Sequence, residues 1–225
     1  DLGLINTDYL ENIDIPKDSA LIYTSFAAYT AEQDTASISK FCKDNEITTI
    51  EDASAGIGDN EKKLGNGNLS DIIIASTGSP KIINVENGGF ISTNNPEVFE
   101  NTKIPQKLSK VDEITCSGID KELDFVKNNL KETINATTTL KKHINTTFHT
   151  FKRGVNVIIP HEKPKDIMWK LKKELPINHH NFISKCPNYN RLKEKGIVIE
   201  VKNLNYESLK KENLDKIIEV INNQL

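Results

Sequence analysis

Long hydrophobic runs are missing from this sequence. None approaches the roughly 20 apolar residues that a membrane-crossing helix needs, and no basic-then-apolar leader opens the chain. A cytoplasmic protein without a membrane partner is therefore expected. Cysteine is scarce. Cys42, Cys116 and Cys186 are odd in number, far apart and without a C-x-x-C pair, which argues against a disulfide framework and against a zinc knuckle. Aromatic residues make up only 6% of the chain and scarcely interleave with its lysines. The basic positions accordingly read as a solvated face, and no nucleic-acid partner is expected. No internal repeat or low-complexity tract is evident. Nor is there an initiating methionine: the chain opens at Asp1-Leu-Gly-Leu and reads as though it enters within a longer protein.

What remains is enough for one good core, or for one domain and a smaller appendage: 225 residues, 36% hydrophobic. The net charge of -3 conceals a division. Residues 1–100 hold 17 acids against 6 bases, and 101–225 hold 15 acids against 23 bases. Opposite charge on the two parts implies different employment for them, with attraction between them or toward an anionic ligand.

Periodicity orders the elements. Residues 20–26 form a β-prone run, 35–45 carry helical spacing, and 47–52 form a second strand that ends in Glu51-Asp52. This is a β-α-β unit, so parallel strands with a right-handed crossover are expected. Strands at 71–76 and 89–93 follow, separated by a sharp Thr-Gly-Ser-Pro-Lys turn. Residues 97–109 are polar and ambiguous. Residues 121–151 read as one long helix or two, with Leu123, Val126, Leu130, Ile134 and Leu140 as the buried stripe. Beyond a change of composition near residue 150, a strand at 155–160, a helix at 163–174 behind Pro164, a strand at 196–201 and a closing helix at 213–225 read as a small α/β subdomain.

Ligands of open parallel sheets gather beyond the carboxyl ends of the strands, which directs attention to Asp52, Ser76 and Lys81 with Gly88-Gly89 after them. Singly, each is a common loop or turn residue. Together they could supply a carboxylate for a ring nitrogen, a hydroxyl for a phosphate and an amine for an aldehyde. Pyridoxal phosphate needs that set. His179 and His180 are adjacent, without a nearby carboxylate or cysteine, and no metal site is expected there.

Ile50-Glu-Asp-Ala-Ser-Ala-Gly-Ile-Gly-Asp, Gly67-Asn-Leu-Ser-Asp-Ile and Ala75-Ser-Thr-Gly-Ser-Pro-Lys-Ile-Ile-Asn-Val-Glu-Asn-Gly-Gly-Phe-Ile-Ser-Thr-Asn occur in that order. The series resembles the DegT-type aminotransferases, fold-type I enzymes that depend on pyridoxal phosphate, whose motifs run I-E-D-A-A-Q-A-H-G-A, G-x-x-G-D-I and F-S-F-x-x-x-K-x-x-x-x-G-E-G-G-x-x-x-T-N. Cys186-Pro-Asn-Tyr-Asn-Arg-Leu resembles the family's C-P-x-A-E-x-L.

The resemblance implies an α/β fold. Residues 1–105 would be part of a large domain with a mainly parallel, helix-covered sheet, 106–150 a helical connection, and 151–225 the small C-terminal α/β subdomain. It further implies that Lys81 is the catalytic amine, that Asp52 pairs with the cofactor's ring nitrogen and that Ser76 binds its phosphate. The implied reaction moves an amino group from glutamate to a nucleotide-linked keto-sugar for cell-wall or surface-glycan synthesis, in a homodimer. Lysine at position 81 separates the chain from the family's dehydratase branch, which has histidine there.

Several positions depart from the family pattern: Ala55 in place of a cofactor-contacting glutamine, Asn87 in place of an acid, Ser25 in place of a histidine, and Ala75 and Thr77 in place of aromatics. The family's Gly-Thr phosphate loop and stacking aromatic have no obvious counterpart. A non-catalytic homologue that serves as a binding or partner subunit is the second reading, and an unrelated α/β domain the third.

Overall fold

The computed structural model describes residues 2–175, 182–186 and 192–225. The chain divides into two compact units, one of Ile5–Ser25 and Asp34–Asn128, the other of Asp1–Leu4, Phe26–Gln33 and Asn129–Leu225.

The first unit is built on a four-stranded sheet. A short helix α1 (Thr7–Leu10), capped by Asn6, precedes β1 (Ala20–Thr24). After the excursion of 26–33 into the other unit comes α2 (Thr35–Asp44). Asp34 caps α2 by accepting the Ser37 N–H at 3.1 Å, which supplies one of the donors left over in a first helical turn. Its Ile38, Phe41 and Cys42 pack on Tyr23 and Ile47. β4 (Thr48–Asp52), β5 (Ile72–Ser76) and β6 (Gly89–Thr93) complete the sheet in the order β1-β4-β5-β6, the label numbers allowing for two short strands of the other unit.

β1, β4 and β5 are parallel, as the β-α-β pattern requires, and β6 is an antiparallel edge. The fold is thus α/β with a mainly parallel, helix-flanked sheet. Alternation along β4 buries Thr49 and Glu51 on one face and leaves Ile50 and Asp52 half-buried on the other. The polar stretch after β6 is helical: α3 (Glu97–Asn101) and α4 (Lys103–Leu108). α5 (Glu113–Leu123) follows, capped by Asp112, whose carboxyl is held below the usual carboxylate range by the hydrogen bonds it accepts from Thr115.

The second unit holds β2 (Phe26–Ala27) and β3 (Ala31–Glu32), a two-residue-strand ribbon with no signal in the sequence. α6 (Val126–His143) begins three residues before this unit does and brings Leu130, Ile134 and Leu140 into burial. The expected stripe is right except for Leu123, which ends α5 and is exposed, because a break at 124–125 separates two helices where one periodic pattern could be drawn.

β7 (Val157–Pro160), β9 (Gly196–Ile199) and β8 (Ile183–Cys186) form an antiparallel sheet in that order, with the fully buried β9 in the centre. α7 (Pro164–Glu174) starts on proline, whose missing N–H costs nothing in a first turn. α8 (Lys211–Gln224) closes the chain with Leu214, Ile217 and Ile221 inward. Ile167, Leu171, Ile197 and Ile199 share the core with them. Just beyond the central strand β9, Glu200 accepts from Asn156 Nδ2 at 2.6 Å, Ser184 Oγ at 2.7 Å and Lys202 Nζ at 2.8 Å, so the buried charge is paired and both its oxygens accept hydrogen bonds.

Candidate functional site

β4 and β5 are the two central strands, and parallel pairing puts their carboxyl ends on the same edge of the sheet. Asp52 is paired with Ile74, so Ser76 lies two residues beyond that register point, and Ser76 is itself opposite Gly89. Asp52 and Ser76 both line a cavity of about 570 Å³, together with Ser54, Ile74, Gly88 and Gly89. That volume lies within the usual range for small-molecule sites.

The glycine pair has a steric reason. Gly88 sits at φ +78, and a Cβ on Gly89 would lie 2.6 Å from the carbonyl oxygen of Ala75. Phe99, Gln106, Ser109 and Val111, from α3, α4 and the segment after them, add a further part of the wall. The sequence marked that stretch only as ambiguous, because short helices with exposed faces leave little periodic signal.

Asp52 is held from one side. Its Oδ1 accepts the Ser54 N–H at 3.1 Å and the Ser54 hydroxyl at 2.6 Å. Ser54 Oγ in turn accepts the Ser76 N–H at 2.8 Å. Ser54 was not among the expected site residues; a hydroxyl two positions after an acid at a strand end is the signal that could have found it. Ser76 Oγ accepts the Gly78 N–H at 3.3 Å and keeps its own hydrogen to donate.

Lys81 lies in the loop between β5 and β6. The loop is folded back on itself: Thr77 Oγ1 donates to Asn87 O at 2.6 Å, and the Val85 N–H donates to Thr77 O at 3.0 Å. Ile82 and Ile83, the two residues after the lysine, are buried, and Lys81 itself is half-buried. It is not among the residues that line the cavity. The structure thus brings Asp52 and Ser76 to one cavity and places Lys81 on the neighbouring loop.

Ser25 does not reach this cavity. It is buried and serves Glu51, the other acid at the end of β4. Thr77, where the family has an aromatic, is fully buried as the loop's hydrogen-bonding post. Ala55 is buried and brings no polar group. His179, His180 and residues 187–191 of the Cys-Pro motif lie outside the described residues. His143 ends α6, and His149 lies beyond it rather than on the expected long helix, with its Nε2 at 2.9 Å from Leu2 O.

A mainly parallel α/β sheet thus carries a carboxylate and a hydroxyl at adjacent strand ends, both on one cavity. Among solved structures, the aminotransferase TlmJ from Streptoalloteichus hindustanus superposes with a TM-score of 0.72 at 12% identity, covering 97% of this chain and 69% of that one. 3-amino-5-hydroxybenzoic acid synthase gives 0.73 at 13% identity, with 98% and 71% covered. NtdA from Bacillus subtilis, determined with its cofactor PMP bound, gives 0.65 at 19% identity, with 98% and 59% covered. These likenesses establish the fold.

Residues 4–163 match the model of the DegT/DnrJ/EryC1/StrS aminotransferase family, and the chain belongs to that family. Residues 127–222 also match the C-terminal domain of the MJ1341 family. An uncharacterized protein, MJ1066, of Methanocaldococcus jannaschii is 31% identical over 100 residues, which is 44% of this chain and a quarter of that protein. The cofactor of DegT-type aminotransferases is pyridoxal phosphate, and the donor set here fits it: an oriented carboxylate, a serine hydroxyl and a glycine pair are on the cavity wall, and the lysine is on the loop between β5 and β6.

Proposed function

We propose that the chain supplies the catalytic part of a pyridoxal-phosphate aminotransferase that moves an amino group from glutamate to a nucleotide-linked keto-sugar. The observation that carries this reading is the convergence of Asp52 and Ser76 on one cavity in a chain of this family. When bound, the cofactor supplies an electron sink for the carbon that loses its proton. Asp52 would hold the proton on the ring nitrogen, and Ser76 Oγ with nearby backbone N–H groups would hold the phosphate. Lys81 would give its amine to the aldehyde and then carry a proton between two carbons. A homodimer in the cytoplasm, in cell-wall or surface-glycan synthesis, completes the proposal. PseC of Helicobacter pylori, an aminotransferase involved in the biosynthesis of pseudoaminic acid, shares the fold and supports the substrate class.

The test is a titration of the purified protein with pyridoxal phosphate. An absorbance band in the visible that Lys81→Ala abolishes is the expected result; a wild-type protein that develops no band overturns it.

Ala55, buried and without a polar group, favours a second reading, a non-catalytic homologue that binds a ligand or an active partner. It expects a folded protein indifferent to the cofactor, and transaminase activity of the isolated protein would dispose of it.

A further inference from the structure

Ser54 carries three hydrogen bonds at the junction of two strand ends and has no part in the roles assigned above. Its N–H and hydroxyl both go to Oδ1 of Asp52, and its Oγ receives the backbone N–H of Ser76. The side chain is buried, with 8% exposed, so water competes little for these bonds. The three groups form one directed chain, Ser76 N–H to Ser54 O–H to Asp52 Oδ1, in which each donor polarises the next. The chain ties the end of β5 to the end of β4 through side-chain atoms where the backbone ladder stops.

The consequence falls on Asp52. A carboxylate presents two oxygens with about four acceptor sites, and Ser54 occupies two of them on Oδ1. Oδ2 receives no hydrogen bond from the described residues. With Oδ1 engaged and Asp52 on the cavity wall, Oδ2 is the oxygen left for a ligand, a single strong acceptor rather than a symmetric pair.

We infer that Ser54 is a positioning residue: it fixes the Asp52 carboxylate so that one oxygen meets a ligand bearing a protonated ring nitrogen. This rests on the proposed use of Asp52 and adds to it the residue that sets its geometry. A purely structural Ser54 would hold the strand ends together without influence on which ring is bound.

The experiment measures non-covalent binding and so does not depend on Lys81 or on turnover. The protein is titrated calorimetrically with 4'-deoxypyridoxine phosphate and with its analogue in which the ring nitrogen is replaced by C–H. The wild type should prefer the nitrogen ring by about tenfold or more, the worth of a charge-assisted hydrogen bond. Ser54→Ala should reduce that preference several-fold with phosphate-dependent affinity kept, and Ser54→Thr, which keeps the hydroxyl, should restore it. Ser54→Cys, close to serine in size but a weak hydrogen-bonding group, gives the same reading should the alanine variant fail to fold. A preference that Asp52→Asn abolishes but the Ser54 variants retain overturns the inference alone. A wild type that binds neither ring overturns the proposed function and this inference with it.

Discussion

Ser25 donates its hydroxyl hydrogen to Oε1 of Glu51 across 2.6 Å, and both side chains are buried. Glu51 is fully enclosed and also accepts the Gly65 N–H on the same oxygen at 2.9 Å and the Ser70 hydroxyl on Oε2 at 2.9 Å. Tyr23 extends the network to Ser70, and burial pushes its phenol above the ordinary tyrosine range. The acid next to Asp52 is thus a structural one that gathers β1, β4 and the 53–70 segment. Glu51 has no ion pair among the described residues, and such a buried acid is tolerable only while its donors remain.

Glu51→Ala should therefore cost about 3 kcal/mol or more, because three donors lose their acceptor and a void is left, whereas Ser25→Ala should cost about 1 kcal/mol. Urea unfolding followed by far-ultraviolet circular dichroism measures both. Equal losses in the two variants would contradict the network.

Lys141 is 1% exposed, and its Nζ donates to Thr30 O at 2.5 Å, Lys152 O at 2.8 Å and His149 O at 3.1 Å. Three carbonyls match the three N–H bonds of an ammonium, yet burial pushes the amine down to about 8. With the folded value below the unfolded 10.5, the unfolded chain binds more protons between those limits. Stability relative to Lys141→Met should consequently rise with pH from about 8 to about 10.5, by up to about 3 kcal/mol. A difference that is flat or falls over that window would count against it. At neutral pH Lys141→Met should still be destabilising, by about 2–4 kcal/mol, since three buried carbonyls lose their donor.

Gly89→Ala should weaken the pairing of β5 with β6 and disturb the cavity together. The new methyl would approach the Ala75 carbonyl oxygen, a backbone atom, to 2.6 Å, and a loss of about 1–3 kcal/mol is expected. Hydrogen exchange should show faster exchange at 72–76 and 89–93 than in the parent. Unchanged protection there would refute the steric argument.

Asp52→Asn and Ser76→Ala should separate the two ends of the proposed ligand. The first should lower affinity for pyridoxal phosphate about tenfold and leave inorganic phosphate competition intact. The second should lower the affinity of both by about fivefold. Identical effects on both probes would mean that the two residues do not face different ends of one molecule.

Much of the architecture was legible from pattern. The β1-α2-β4 unit follows from alternating and helical periodicities, Pro164 marks the start of α7, and the closing helix is read from Leu214, Ile217 and Ile221. Short elements escaped: β2 and β3 have two residues each, and α3 and α4 bury none of theirs, so no periodic hydrophobic signal exists to be read.

The acids at residues 51 and 52 show where a linear reading ends. Sequence determined that two carboxylates would stand at a strand's carboxyl end, since period-two alternation sends neighbours to opposite faces. Only the tertiary structure decided that Glu51 turns inward to Ser25, Gly65 and Ser70 while Asp52 turns to Ser54 and the cavity. Likewise the chain order alone put Lys81 shortly after Ser76, but the fold-back of the 77–88 loop, through Thr77 with Val85 and Asn87, decided the course of the backbone that carries it. Local periodicity chooses a face; which partners wait on that face depends on segments far away along the chain.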